Sequence, residues 1–162
     1  MKTKSISTFA AIALLSISAT TALITPQGFQ RAVSDAIAGE AAHAQSVGKL
    51  AKKLQGKPVV VDIYASWCPA CKNIAPTVSQ LKKQYEGKVN FVVLDVSDRA
   101  STAKSEALAR ELGLSDFFAA NKTQTGSLTI IDPSTGKILS QQRNNSNKAA
   151  YTKVLDTAIA KK

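Results

Sequence analysis

Val59-Val60-Val61-Asp62-Ile63-Tyr64-Ala65-Ser66-Trp67-Cys68-Pro69-Ala70-Cys71-Lys72 is the stretch on which the reading of the fold turns. Its first six residues are apolar and largely β-branched apart from one acid, the composition of a buried strand. Beyond it, Ile74, Val78, Leu81 and Tyr85 recur at i, i+4, i+7 and i+11, the stripe of an amphipathic helix. The junction carries both cysteines of the chain and places Cys68 at or near the helix start. Unpaired N–H groups and the positive end of the helix dipole favour a thiolate there. The expected thiol pKa falls from about 8.5 into a range of roughly 3.5–7.5. Cys71 lies one turn further on, within reach of a disulfide with Cys68. Pro69 suits the first turn, where its missing N–H costs nothing.

A C-x-x-C pair is also half of a zinc site, but a closed site needs two more ligands. The chain has no other cysteine, and its one histidine, His43, falls in a segment expected to be removed. A purely structural bridge over so short a loop constrains the unfolded chain little. The residues favour a redox-active dithiol, with no metal and no cofactor.

The 162 residues allow one domain of ordinary size plus an extension. The chain is 44% hydrophobic and 6% aromatic, as in a soluble globular protein. The formal charge of +10 comes from lysines scattered in ones and twos without interleaved aromatics, which argues for a solvated basic surface and against nucleic acid. Residues 1–44 differ from the rest. Lys2 and Lys4 precede an apolar run from Phe9 to Ile17 and a Ser/Thr/Ala stretch that ends at Leu23-Ile24, the layout of a secretory signal. Ala42-His43-Ala44 before Gln45 is the preferred cleavage site, and Thr20-Thr21-Ala22 is the alternative. An uncleaved anchor over roughly Ser5–Ile24 is the competing reading, since a span needs about 20 apolar residues.

Residues 45–162 are expected to fold as one domain. Val47, Leu50, Ala51 and Leu54 predict a short amphipathic helix. A strand at 58–64, a helix at 69–86, a strand at 89–96 and a helix at about 102–112 follow. A hairpin of Leu128–Ile131 and Lys137–Gln142 turns at Asp132–Gly136, and Asn144-Asn145-Ser146 caps a last helix. The first two strands are expected to be parallel and central, because a helical crossover joins them.

Val61–Lys72 resembles the strand–WCxxC–helix signature of the thioredoxin family, including an acid six residues before the first cysteine. It is most similar to the exported or membrane-anchored thioredoxin-like proteins of bacteria and thylakoids, and Val89–Val96 is similar to their next strand. The resemblance is strong over residues 57–98 and does not reach the first 45 or so. It implies a thioredoxin-like α/β fold with a central mixed sheet flanked by helices. It also implies that Cys68, the family's exposed cysteine, attacks and that Cys71 resolves the mixed disulfide. Asp62 falls at the family's buried acid; burial among Val, Ile and Tyr raises its pKa and suits it to take the proton of Cys71. Trp67, Pro69 and Ala70 are expected to contact substrate. The family's cis-proline before the third strand is here Gly126, and Leu114–Thr125 is longer than the usual link. Thr125–Gly126 is expected to be trans, with an open rim around Cys68, broader substrate selection and a reduced pair open to thiophilic metal. Under that expectation Gly126→Pro improves turnover if the loop adapts. The long link is expected to form an extra helical turn lining or covering the site.

The function implied is an exported thiol–disulfide oxidoreductase, a reductant rather than an oxidant. It would be monomeric, recharged by a membrane thiol-electron carrier in the periplasm or thylakoid lumen, and would act on protein disulfides, those of cytochrome c maturation among them. The alternative is a thioredoxin-fold binding or assembly factor with little redox turnover.

Overall fold

A computed structural model describes residues 46–161 of the chain. Its sheet is built around β1 (Val59–Tyr64), in which every residue but the last is buried. Burial on both faces is what an unbroken apolar run requires. β1 pairs in parallel with β2 (Asn90–Asp95), Val59 opposite Asn90 and Tyr64 opposite Asp95. On its other side it pairs antiparallel with β3 (Ser127–Ile131), which pairs antiparallel with β4 (Ile138–Arg143). The strand order is β2-β1-β3-β4. Around this mixed sheet lie α1 (Pro69–Gln84), α2 (Arg99–Leu112), α3 (Ser115–Asn121) and α4 (Lys148–Ala160). This is the thioredoxin-like fold that the order of elements led us to expect.

Alternation along β1 supplies two cores. Val59, Val61 and Ile63 pack with Leu94, Leu112, Phe117 and Phe118 on one face. Val60 packs with Ile74, Val78 and Leu81 of α1 and Tyr151 and Leu155 of α4 on the other. Asp62 shares the second face and therefore points toward α1.

Four expectations are corrected. β2 is parallel to β1 but lies at the sheet edge, where Val93 is 37% exposed; only β1 and β3 are central. Residues 46–54 form no amphipathic helix. Ser46 bridges to Lys137, the Val47 N–H donates to Gly136 O, and the Ala51 N–H donates to Leu112 O, so only Lys52–Leu54 makes a single 3-10 turn. The extra helix does form, as α3, but Phe117 and Phe118 anchor it in the first core and it does not cover the cysteines. The cap of α4 is Asn147, whose side chain accepts from the Ala149 N–H, one residue beyond the expected trio. The leader, both cleavage sites and His43 lie outside the described residues. Among those described, no helix is long and apolar enough to cross a membrane.

Candidate active site

Cys68 is the N-cap of α1, and its sulfur accepts from the Cys71 N–H at 3.1 Å. A side-chain acceptor at this position satisfies one of the helix's unpaired donors. Pro69 sits in the first turn as expected. Both cysteines are free thiols. Each is only 2% exposed, which corrects the expectation that Cys68 is the exposed member. The covering groups are close by: Ala65, Ala70, Tyr64 and Val96 pack about the pair.

What separates the two sulfurs is hydrogen bonding. Burial acts to raise the pKa of Cys68. Hydrogen bonds from the Cys71 thiol, the Thr125 hydroxyl and the Cys71 and Ala70 backbone amides outweigh it and hold the thiol below its usual range. Cys71 has the opposite balance. Burial first, then its bond to Cys68 and the negative charges of Cys68 and Asp62, push its pKa up to about 11. Its thiol also lies 3.9 Å from Ile63 O, a weak acceptor contact. Of the two thiols, Cys68 is therefore the first to lose its proton and Cys71 the one that keeps it.

Asp62 is 8% exposed, and its Oδ1 has no hydrogen-bond partner among the described residues. Burial raises its carboxyl from an ordinary 3.8 to about 6, against a partial opposing pull from the Lys82 ammonium. A groove of about 540 Å³, lined by Asp62, Tyr64, Cys71, Ser79, Lys82 and Val93 among others, joins the acid and the inner cysteine to solvent. The resemblance led us to expect a buried acid at Asp62, and the packing of α1 over its face supplies that burial.

Trp67 is 60% exposed beside the pair. Its indole N–H donates to Ser97 O at 2.9 Å, and the Ser66 N–H donates to Ser97 Oγ at 2.8 Å. Ser97 is itself tied to the Asp95 carboxylate. This clamp fixes the loop before Cys68 to the end of β2.

Gly126 lies against the helix start, not away from it. No peptide bond is cis among the described residues, so Thr125–Gly126 is trans as expected. The open rim is not found. A Cβ at Gly126 would lie 2.6 Å from Ala70 Cβ and 3.1 Å from Cys71 N, so only a residue without a side chain permits this approach. Its φ is +79°, which proline cannot adopt, and its N–H donates to Ile63 O at 2.8 Å. Gly126→Pro would therefore break the join between β1 and the loop entering β3, so the improvement expected of it is withdrawn. Uncovered sulfurs, and the ready access of metal to them, are withdrawn with it.

Thr125 is the site residue that sequence reading missed. It is buried, and its side chain is one of the influences that lower the Cys68 pKa. No periodicity marks a loop residue, and its only signal was its place immediately before Gly126. Ser97 likewise carried no signal, lying just beyond the strand expected at 89–96.

Residues 40–110 match the family profile described as Thioredoxin. The thioredoxin-like protein HCF164, chloroplastic, of Arabidopsis thaliana is 51% identical over 43 residues, 26% of this chain and 16% of that protein. The thiol:disulfide interchange protein TxlA homolog of Synechocystis sp. is 45% identical over 58 residues, 35% of this chain and 32% of that protein. Thioredoxin H-type of Chlamydomonas reinhardtii is 44% identical over 61 residues, 37% of this chain and 54% of that protein. The matched stretches thus span between about a sixth and about half of these relatives.

Proposed function

We propose that this chain, whose residues 40–110 match the thioredoxin family, is an exported thiol–disulfide oxidoreductase that reduces protein disulfides through Cys68 and Cys71. The observation that carries the reading is the split between the two sulfurs: a thiol held low at a helix N-cap and, one turn on, a thiol pushed up to about 11.

The cycle follows from that split. The Cys68 thiolate attacks one sulfur of a substrate disulfide, and the other leaves as a thiolate that takes a proton from water. Cys71 then loses its proton to the Asp62 carboxylate, directly or through water in the groove. With a pKa of about 6, that carboxylate is mostly ionised at neutral pH and able to accept it. The Cys71 thiolate attacks Cys68 in the mixed disulfide and releases the second substrate sulfur as a thiolate, which takes up the proton left on Asp62 or one from water. The substrate gains two electrons and two protons, and the protein is left with a Cys68–Cys71 disulfide. Trp67, Pro69 and Ala70 form the surface against which substrate would lie, and Gly126, expected to join them, is instead buried against Ala70.

The protein disulfide is the substrate class that the family match supports. The direction, the recharging by a membrane thiol-electron carrier and a role in cytochrome c maturation go further and belong to the proposal. So does the assignment of residues 1–44 to a signal or anchor. Export is supported by the charge and hydropathy layout of those residues and by likeness to a chloroplast protein. A second reading, a thioredoxin-fold assembly factor with little turnover, is favoured by one observation, the near-complete cover of both sulfurs.

Insulin reduction driven by dithiothreitol separates the two. The wild-type protein is expected to accelerate precipitation of the insulin B chain at catalytic concentration, and Cys68→Ser is expected to fall to the rate of dithiothreitol alone. A wild-type rate no greater than that background selects the assembly factor.

A further inference from the structure

We propose that Arg143 sets substrate selectivity at this site by recognising an acidic side chain that flanks the disulfide to be exchanged. The proposal rests on the thiol–disulfide reading and adds the chemistry of the substrate's flank. Arg143 is the last residue of β4 and is exposed. Its Nε donates to the Thr125 carbonyl at 3.1 Å. Thr125 is buried and precedes Gly126, which lies against Ala70 and the Cys71 backbone nitrogen. The next residue, Asn144, takes a left-handed φ of 55°, donates its N–H to Gly126 O at 2.8 Å and accepts from Asn73 Nδ2 at 3.0 Å. β4 thus ends against both the glycine that touches Ala70 and the first turns of α1. The guanidinium is moored on the wall of the dithiol's rim.

That mooring uses only the Nε–H. The two terminal nitrogens keep their four N–H groups, and among the described residues no carboxylate forms a salt bridge with them. A planar fork of this kind takes a carboxylate through two parallel hydrogen bonds. Most exposed ion pairs are weak because two long side chains must be immobilised. Here one of the two is already held, so less freedom remains to be lost. Asn144 and Asn73 place amides beside Arg143, and Lys72 follows Cys71 in α1, while the carboxylates of Asp95 and Asp98 flank Ser97, which holds Trp67. A substrate carrying an acid beside its disulfide meets complementary charge, and one carrying a lysine meets repulsion.

The test uses two peptides identical except for Asp or Lys beside the bridging positions, with serine in place of cysteine so that no exchange occurs. Binding to the reduced protein is read from the fluorescence of Trp67, the single tryptophan. The wild type is expected to bind the Asp peptide about three- to tenfold more tightly at low salt, with the ratio shrinking in concentrated salt. Arg143→Gln should bring the ratio to about one, and Arg143→Lys should keep part of it. Lys88→Gln, which removes the same charge near the start of β2, should leave the ratio unchanged. Equal binding of the two peptides by the wild type overturns the proposal. A preference that survives Arg143→Gln does so too, and points to Lys72 instead. Should Arg143→Gln fail to fold, the Arg143→Lys ratio and the salt dependence decide in its place. Insulin turnover without the preference refutes this proposal alone, whereas an Arg143-dependent preference without turnover refutes the redox reading alone.

Discussion

Cys71→Ser is expected to stop turnover and leave the protein covalently joined to its substrates through Cys68. The variant keeps the backbone N–H of residue 71 that donates to the Cys68 sulfur, and the serine hydroxyl can donate in place of the lost thiol. The variant therefore still forms the mixed disulfide. It lacks the neighbouring thiol that resolves it, and an intramolecular nucleophile of this kind is worth an effective concentration far above that of any external thiol. Non-reducing gels of the variant incubated with a disulfide-bonded protein should show adducts that collapse with dithiothreitol. Cys68→Ser should show none. The reverse pattern, adducts with Cys68→Ser alone, would exchange the two roles.

Asp62→Asn is expected to stabilise the reduced protein at pH 8 relative to wild type while slowing its catalysis. Burial lifts the folded-state pKa of Asp62 from 3.8 to about 6, so the folded protein binds more protons than the unfolded chain between those values. Stability contributed by the neutral acid is full below about pH 4 and is lost as pH rises through about 6. The shift corresponds to roughly 3 kcal/mol. Asparagine carries no such term. The gap between variant and wild type in urea unfolding should therefore open between pH 4 and pH 7 and stay constant above it. Parallel curves across that range would show that Asp62 is not a buried acid of raised pKa. The same substitution removes the proton acceptor of Cys71 and should slow insulin reduction by up to about 10²-fold near neutral pH, the lower end of what general bases contribute.

The strand–helix junction was legible because three independent signals coincide there: a β-branched run, a helical stripe and a Cys-Pro helix start. The two cysteines could be named from it, and the acid from the resemblance that the same stretch carries. Other parts were illegible for physical reasons. β2 reads as Asn-Phe-Val-Val-Leu-Asp, apolar enough for a central strand, yet an edge strand can be equally apolar when only one neighbour covers it, and exposed Val93 shows the cost. Val47, Leu50, Ala51 and Leu54 have helical spacing, but their backbone donors go to Gly136 and Leu112, contacts that no local pattern reports. Gly126 was found, and its consequence was read the wrong way. A glycine suggests slack, whereas here it permits a contact that any side chain would prevent. Thr125 and Arg143 belong to the site only because β3 and β4 bring their ends to the start of α1, and a tertiary neighbour leaves no mark on sequence periodicity.

The account depends most on Cys68 carrying the thiolate and Cys71 the proton, and thiol alkylation tests this directly. The fully reduced, folded protein is treated with substoichiometric iodoacetamide at a series of pH values, and the first adduct is located by peptide mass mapping. The structure predicts that the first adduct falls on Cys68, at a rate whose midpoint lies below the value of about 8.5 for a free cysteine, with Cys71 unreactive until far higher pH. A first adduct on Cys71, or equal labelling of both sulfurs through neutral pH, would contradict it.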